Sequence, residues 1–247
     1  MIIKKNRIMG CVFALIATQA TCASWHPYSV MGLGVSHTNQ TQDLTLQTSP
    51  SPGLTNQYDS VNTSFSTRLV GFGLSKAAAT LKKEAQVSLG VEALYLSNDE
   101  VSGTVRPLIN VGPDFDRLNF SYQFKSLLFL AKATLSKKNL IQKWGGYVDV
   151  GVGGSFNDAS SYHESILTGS TAIPTASPFA NNNKAQFAFS VGAGVTHQVA
   201  SRSEISIGYK YINTGANDLG LSANQSTQQH LSFKNLGHHL LTLSARL

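Results

Sequence analysis

Residues 186–196 read Gln-Phe-Ala-Phe-Ser-Val-Gly-Ala-Gly-Val-Thr, and their pattern decides the fold class of this chain. Side chains alternate across an extended strand, so the two sets of residues face opposite sides. One set is large and apolar: Phe187, Phe189, Val191, Ala193 and Val195. The other is small and weakly polar: Ala188, Ser190, Gly192, Gly194 and Thr196. A soluble sandwich would place charge on its water side, whereas this pattern is typical of a narrow barrel with lipid outside.

The composition agrees with a membrane barrel. Charged residues make up 13% of the 247 residues and hydrophobic residues 42%, whereas globular soluble domains average about 25% charged. After the first 23 residues, no apolar run approaches the ~20 residues that a membrane-spanning helix needs. A chain of this kind crosses a membrane only as a closed β-barrel, because open sheet edges leave backbone groups unpaired in lipid.

Residues 1–23 have the features of a secretory signal peptide, and residues 24–247 form the predicted barrel domain. Three basic residues precede a short apolar core at residues 8–17, and a small-x-small sequence ends at Ala23. A cut after Ala20 is the alternative. Removing the segment lowers the formal charge from +6 to +3. The charge therefore indicates no nucleic-acid partner, although a weak attraction to anionic lipopolysaccharide or host surfaces is expected.

Both cysteines of the chain, Cys11 and Cys22, lie within this segment. The mature protein is therefore predicted to contain no disulfide or reactive thiol. Cys22 is also a candidate for lipidation, but the residues before it form a poor lead-in for that modification.

Eight strands are predicted along the mature chain, with bulges near Arg68 and at Lys125–Ser126 where the apolar residues change phase. The strands are residues 28–37, 64–75, 86–96, 118–135, 146–156, 186–196, 203–212 and 236–247. Long polar loops at residues 39–62, 97–117, 157–184 and 213–235 alternate with short links. This alternation predicts an antiparallel up-and-down transmembrane β-barrel with four long outer loops and short periplasmic turns.

Two sets of residues follow from the strand phases. Aromatic residues near strand ends are predicted to form girdles at the two membrane interfaces: Trp25, Tyr28, Tyr95, Tyr122, Trp144, Tyr147, Tyr209 and Tyr211. Five charged residues are predicted to point into the barrel: Glu92, Asp149, Glu204, Lys210 and Arg246. Buried charges need partners, so we expect an internal salt-bridge plug. A narrow ion path gated by the same pairs is the alternative.

Repeated Gly-x-Gly strands, such as Gly71-Phe72-Gly73 and Gly192-Ala193-Gly194, and the terminal Leu-Leu-Thr-Leu-Ser-Ala-Arg-Leu carry a family resemblance. The chain resembles small outer-membrane barrels of the OmpA type and the opacity type. The resemblance implies export to the outer membrane of a Gram-negative cell, contact with lipid and lipopolysaccharide, and insertion by the barrel-assembly machinery. The family usually ends in Phe, whereas this chain ends in Leu247.

No catalytic, cofactor or metal site is predicted. His230-Leu231-Ser232 is similar to the His-x-Ser pair of the lipid A deacylase family, but Phe233 replaces the family's Asn and no acid follows Asp218. His238 and His239 are strand neighbours that face opposite sides and cannot bind one metal ion together. We therefore expect a non-enzymatic protein, with a lipid A-modifying enzyme as the alternative.

The four long loops are the predicted functional surface, because loops on a rigid scaffold carry most recognition. Their Ser, Thr, Asn and Gln content predicts a hydrated, adaptable surface. Two functions stay open at this point: a structural envelope protein, and a surface antigen or adhesin that binds a host-surface ligand. A soluble lipocalin-like barrel is the rival fold, and it would carry its apolar side chains inside.

Overall fold

The computed structural model describes residues 25–37, 44–47, 55–58, 64–81, 85–98, 100–107, 117–172, 174, 179–200, 203–222, 230–233 and 236–246. The predicted signal peptide, its cleavage site and the terminal Leu247 lie outside the described residues. Among the described residues, no helix is long and apolar enough to span a membrane.

Eight long antiparallel strands form a closed ring. They are β1 (Trp25–His37), β2 (Ser64–Thr80), β3 (Ala85–Asn98), β4 (Leu118–Ile141), β5 (Trp144–Ile166), β6 (Asn182–Gln198), β7 (Glu204–Asn213) and β8 (Gly237–Arg246). Each strand pairs with the next, and β8 pairs with β1 to close the ring. The predicted eight-stranded up-and-down barrel is confirmed. The strands are longer than predicted, above all β4 and β5, which meet at a turn of two residues, Gln142 and Lys143.

The strands are staggered around the ring. From Val35, the paired residues run through His239, Tyr211, Val191, Val150, Ala133, Leu89 and Lys76. They return to β1 at Trp25, ten residues from the start. A stagger of this size tilts eight strands by about 35–45° and leaves a lumen just wide enough for side chains.

The outer wall of the barrel is apolar, and charged, polar and small side chains line the lumen near the short-turn end. Phe187 is 67% exposed, and Val150, Val191 and Ile207 are 54%, 49% and 49% exposed, whereas Glu92 and Asp149 are each 3% exposed inside. A soluble barrel would have the opposite polarity. The predicted outward facing of Phe187, Val150, Val191 and Ile207 is confirmed, and the rival lipocalin-like fold is excluded.

Neither predicted bulge is present. The pairing of β2 is continuous through Arg68, and that of β4 is continuous through Lys125 and Ser126. The inward residues of β4, from the short-turn end outward, are Lys132, Leu130, Leu128, Ser126, Phe124, Tyr122 and Phe120. The phase never changes. The sequence pattern changed because the upper lumen is filled with apolar side chains, so both faces of the strand are apolar there.

The long loops fold into a cap above the barrel. Strands Leu44–Gln47, Thr55–Tyr58 and Val101–Arg106 extend the sheet from the outer end of β4. Two small pairs, Asn217–Asp218 with Ser232–Phe233 and Gly220–Leu221 with Phe179–Ala180, complete it. The prediction that the long loops form a hydrated, adaptable surface is therefore wrong for the described residues, which pack into a cap. The sequence is rich in polar residues, but its scattered apolar residues converge on one buried cluster.

We call this cluster the cap core. It contains Tyr58, Phe65, Val101, Val105, Leu118, Phe120, Tyr122, Phe124, Ala159, Tyr162, Ala172, Phe179, Leu219, Leu231 and Leu236. A second apolar cluster, the lumen layer, lies lower in the barrel and contains Val30, Leu69, Leu94, Leu96, Leu128, Leu130, Ala188, Ile212 and Leu240.

Candidate functional site

The charged groups inside the barrel form one connected cluster, which we call the ionic layer: Tyr28, Glu92, Lys132, Asp149 and Lys210. The Lys210 ammonium lies 2.7 Å from Glu92 Oε2. Lys132 lies 3.5 Å from Glu92 Oε1 and 3.4 Å from Asp149 Oδ2. The Tyr28 hydroxyl donates to Glu92 Oε1 at 3.3 Å, and Lys132 lies 4.7 Å from the centre of the Tyr28 ring.

The ionic layer connects five of the eight strands and is balanced in charge. Its members come from β1, β3, β4, β5 and β7, so its contacts join strands on opposite sides of the lumen. Two carboxylates face two ammonium groups, as buried charges require. A buried ion pair adds little net stability compared with apolar packing, but removing one partner is costly. Loss of any one charged member would therefore leave a charge of opposite sign without a full set of partners inside the barrel.

Three of the five predicted interior charges, Glu92, Asp149 and Lys210, belong to the ionic layer. Glu204 and Arg246 do not. They lie directly opposite each other on β7 and β8 at the short-turn end, where both are partly exposed. The prediction does not include Lys132, because a bulge at Lys125–Ser126 would leave the facing of the residues after it undecided. The unbroken alternation from Ser126 to Lys132 would have placed it inside.

A ring of polar residues, which we call the polar ring, lines the lumen above the lumen layer, and an open chain of hydrogen bonds connects its members. It joins Asn98, Thr67, Ser36, His238, Thr214, Asn157 and Ser126, all buried. Ser126 Oγ donates to Asn157 Oδ1 at 2.7 Å, and Asn157 Nδ2 donates to the Thr214 carbonyl at 2.8 Å. The Thr214 hydroxyl contacts His238 Nε2 at 3.2 Å.

The same ring continues from the other nitrogen of His238. His238 Nδ1 contacts Ser36 Oγ, which contacts the Thr67 hydroxyl. The Thr67 hydroxyl donates to Asn98 Oδ1 at 2.6 Å. The ring of Phe124 stacks on His238 with centroids 6.5 Å apart. The residues predicted from the sequence do not include this polar ring, although its members from β1 to β5 share the inward side of their strands and are all Ser, Thr or Asn.

The cap core is built around aromatic contacts. Tyr58 meets the edges of Phe120 and Phe179 at centroid distances of 5.6 and 5.5 Å, and Tyr162 stacks on Phe120 at 5.9 Å. The Tyr162 hydroxyl donates to Glu164 Oε1 at 2.8 Å. Burial raises the pKa of Tyr58 and of Tyr162 above the ordinary tyrosine value. Aromatic pairs of this geometry add to the energy of apolar burial, so the cap is a packed unit.

An open groove runs along the outer face of the cap beside β4 and β5. Its lining includes Glu100, Ser102, Asn119, His163 and Ser165. Ser121 Oγ contacts His163 Nδ1 at 2.8 Å, and the Glu100 carboxylate lies 3.8 Å from the same nitrogen. Because the hydroxyl and the carboxylate share one nitrogen, the three groups lack the arrangement of a nucleophilic triad. They make a polar surface that carries both hydrogen-bond donors and hydrogen-bond acceptors.

The predicted aromatic girdle is correct for some members and wrong for others. Trp25, Tyr95, Trp144 and Tyr209 are exposed on the outer wall, and Tyr211 is half-buried beside His239. Tyr28 and Tyr122 are 8% and 1% exposed inside the barrel and the cap. Tyr147 also points inward, over Gly194 and Gly208. The reason is strand parity, since these three tyrosines alternate in phase with inward residues.

The histidine motifs also have defined positions. His230 lies in the cap, where its Nδ1 is 3.0 Å from the Leu219 carbonyl and 3.5 Å from Asp218. It is not on the lipid-facing wall, where the similar enzyme pair would lie. His238 is fully buried and His239 is exposed outside, 2.6 Å from the Tyr209 hydroxyl. Within the described ranges, no group of three His, Cys, Asp or Glu side chains could hold a metal ion.

No protein-family profile matches the chain, and no curated protein matches it. Solved structures do. The chain is similar to Neisserial surface protein A (NspA), with 12% identity and a TM-score of 0.46 over 90% of this chain and 95% of that one. It is also similar to the outer membrane protein OprG from Pseudomonas aeruginosa, with 10% identity and a TM-score of 0.42 over 89% of this chain and 95% of that one. A third similar structure is Ail of Yersinia pestis, solved with the heparin analogue sucrose octasulfate. Its identity is 12% and its TM-score 0.28, over 90% of this chain and 99% of that one.

Proposed function

We propose that this barrel is a non-conducting, non-enzymatic outer-membrane protein whose folded cap contacts a ligand outside the cell. The observation that supports it most is the order of layers along β4. From Lys132 to Phe120 the strand passes through the ionic layer, the lumen layer, the polar ring and the cap core. Each layer fills the lumen with side chains of a different kind, which favours a platform over a pore.

The membrane assignment is tested by location and folding. An eight-stranded barrel resists detergent at room temperature and unfolds on boiling, so its migration on a denaturing gel depends on heating. We expect the mature protein in outer-membrane fractions with this heat-dependent shift. Recovery only from the soluble periplasmic fraction, without the shift, would overturn the proposal.

The closed lumen is tested by electrical recording. Purified protein in a planar bilayer should give no steady current, with a general porin in the same bilayer as the positive control. The variant Glu92→Gln keeps the shape of the side chain and removes its charge. A steady open current from the unaltered protein would favour the alternative of a narrow pore, and a change of that current in Glu92→Gln would assign its gate.

The groove on the cap is the proposed contact surface, because it lies outside the apolar wall and combines a carboxylate, an imidazole and several hydroxyl groups. Ser165→Trp would fill the groove, and Asn183→Trp places the same bulk on exposed β6 backbone outside it. Bacteria that display the protein should adhere to epithelial cells. We expect Ser165→Trp to lose most of this adhesion and Asn183→Trp to keep it.

Equal adhesion by bacteria with and without the protein would instead favour a structural envelope protein. The absence of enzymatic function is tested separately, by mass spectrometry of lipid A from expressing cells. We expect an unchanged set of acyl chains. Loss of one acyl chain, abolished by Ser232→Ala, would contradict the non-enzymatic proposal.

A further inference from the structure

The turn between β4 and β5 extends beyond the apolar wall at the short-turn end. Along β4 the outward residues are Ala131, Ala133, Leu135 and then Lys137, so the wall ends near Leu135. The register then jumps from the pair Lys137–Gly146 to the pair Ile141–Trp144, and the three residues between bulge out. Asn139 and Gln142 have positive φ angles of 52° and 53°, which shape this tip.

The tip combines exposed apolar and basic side chains. Ile141 is 73% exposed, more than any other large apolar side chain in the described residues, and Leu140 and Trp144 are 52% and 47% exposed. Lys137, Lys138 and Lys143 are exposed between them. In water such apolar exposure is unfavourable. Apolar groups flanked by lysines are typical of protein segments that lie in the headgroup region of a bilayer.

The charge of this end also points to an anionic partner. Besides the three lysines of the tip, Lys76 is exposed at the end of the wall, and the carboxylate of Glu204 is half-buried beside Lys138 and Lys143. The described residues of this end therefore carry a clear excess of positive charge. The Trp144 ring packs on His197 with centroids 4.5 Å apart, which holds the tip against the end of the apolar wall.

We propose that the tip, residues 137–144, binds anionic phospholipid headgroups of the membrane leaflet at the short-turn end. Ile141, Leu140 and Trp144 enter the boundary between headgroups and acyl chains, and the lysines contact the phosphates. Continuity with the apolar wall at Leu135 and charge complementarity select a lipid as the occupant. The inference rests on the proposed membrane location, but it adds a preference for one class of lipid.

The chain has two tryptophans, so Trp25→Phe leaves Trp144 as a single fluorescent reporter in the tip. Full-length mature protein is folded into vesicles that contain equal mole fractions of phosphatidylglycerol and phosphatidylcholine, with bromine on the acyl chains of one or the other. We expect brominated phosphatidylglycerol to quench Trp144 about twofold more than brominated phosphatidylcholine, because each lysine favours an anionic neighbour.

The triple variant Lys137→Gln, Lys138→Gln, Lys143→Gln should lose this preference. The matched control Arg117→Gln, Lys125→Gln, Lys184→Gln neutralises three basic residues at the long-loop end and should keep it. Equal quenching by both lipids in the parent protein, a preference retained by the tip variant, or one lost in the control would each overturn the inference. Heat-dependent migration of every variant verifies insertion, so a failure of the barrel itself is distinguished from a failure of lipid preference.

Discussion

The ionic layer and the cap core fill the same barrel at two heights, with opposite chemistry. At the height of Lys132 the inside of β4 is charged and the outside, at Phe129 and Ala131, is apolar. At the height of Phe120 the inside is apolar and the outside, at Asn119 and Gln123, is polar. The same strand therefore has an outer face suited to lipid at one height and an outer face suited to water at the other. Lipid surrounds its lower part and water its upper part, and the outward residues change from apolar to polar near Ser126.

The largest effect should come from removing a charge in the ionic layer. Glu92→Ala leaves Lys210 without its partner at 2.7 Å and deprives Lys132 of one of two. An uncompensated buried charge costs about 3–5 kcal/mol, so the urea midpoint of the barrel in vesicles should fall. Glu100→Ala removes an exposed carboxylate and serves as the control. An unchanged midpoint in Glu92→Ala would mean that the layer is not a connected brace.

A change in the cap core should be nearly as large in energy but local in extent. Leu219 is 1% exposed, and Leu219→Ala should cost about 3 kcal/mol of cap stability. Limited proteolysis of intact vesicles should cut the loops faster, while the heat-dependent shift of the barrel stays the same. Leu221→Ala, at a half-buried cap position, is the milder control. If the barrel unfolded together with the cap, the two regions would be one cooperative unit.

High pH should separate the two regions. Burial raises the pKa of Tyr58 and Tyr162, so the folded cap keeps both protons that an unfolded cap releases near pH 10. Cap stability is therefore complete below pH 10 and falls above it, by about 1.4 kcal/mol per pH unit for each tyrosine. Proteolysis rates between pH 9 and 11.5 should show this slope. Tyr58→Phe should reduce it, and an identical slope in that variant would contradict the assignment.

The smallest effect is expected at the exposed ion pair of the cap. Lys184 lies 3.0 Å from Asp218, and its side chain is 43% exposed. Such pairs contribute about 0–1 kcal/mol, so Lys184→Ala should leave proteolysis of the cap almost unchanged. A loss comparable with that of Leu219→Ala would show that charge, as well as apolar packing, holds the cap together.

The lower barrel could be predicted from the sequence because lipid imposes a simple rule there. Val150 and Val191 had to point outward, and Glu92, Asp149 and Lys210 had to point inward. Tyr28 was wrongly predicted to lie in the aromatic girdle, because it stands near a strand end. It is four residues from Gly32, and this even spacing places both residues on the inward face. Phe120 and Tyr122 were harder, since a strand with two apolar faces does not tell which face meets lipid.

The cap could not be predicted for a different reason. Tyr58 and Val105 lie on short strands and Leu219 lies between two others, all separated by polar residues, so no periodicity connects them. Their association depends on contacts between residues far apart in the chain, which a local pattern does not contain.

The hairpin of β4 and β5 has a mechanical consequence. Its strands run without a break from the membrane wall into the cap, held by a continuous series of paired residues from Ser126 to Lys137. A ligand that pulls on the cap would pull both strands in the same direction, and would load in shear the bonds that join β4 to β3 and β5 to β6, many at once along the strand axis. The force would thus reach the membrane-embedded barrel without first unfolding the cap.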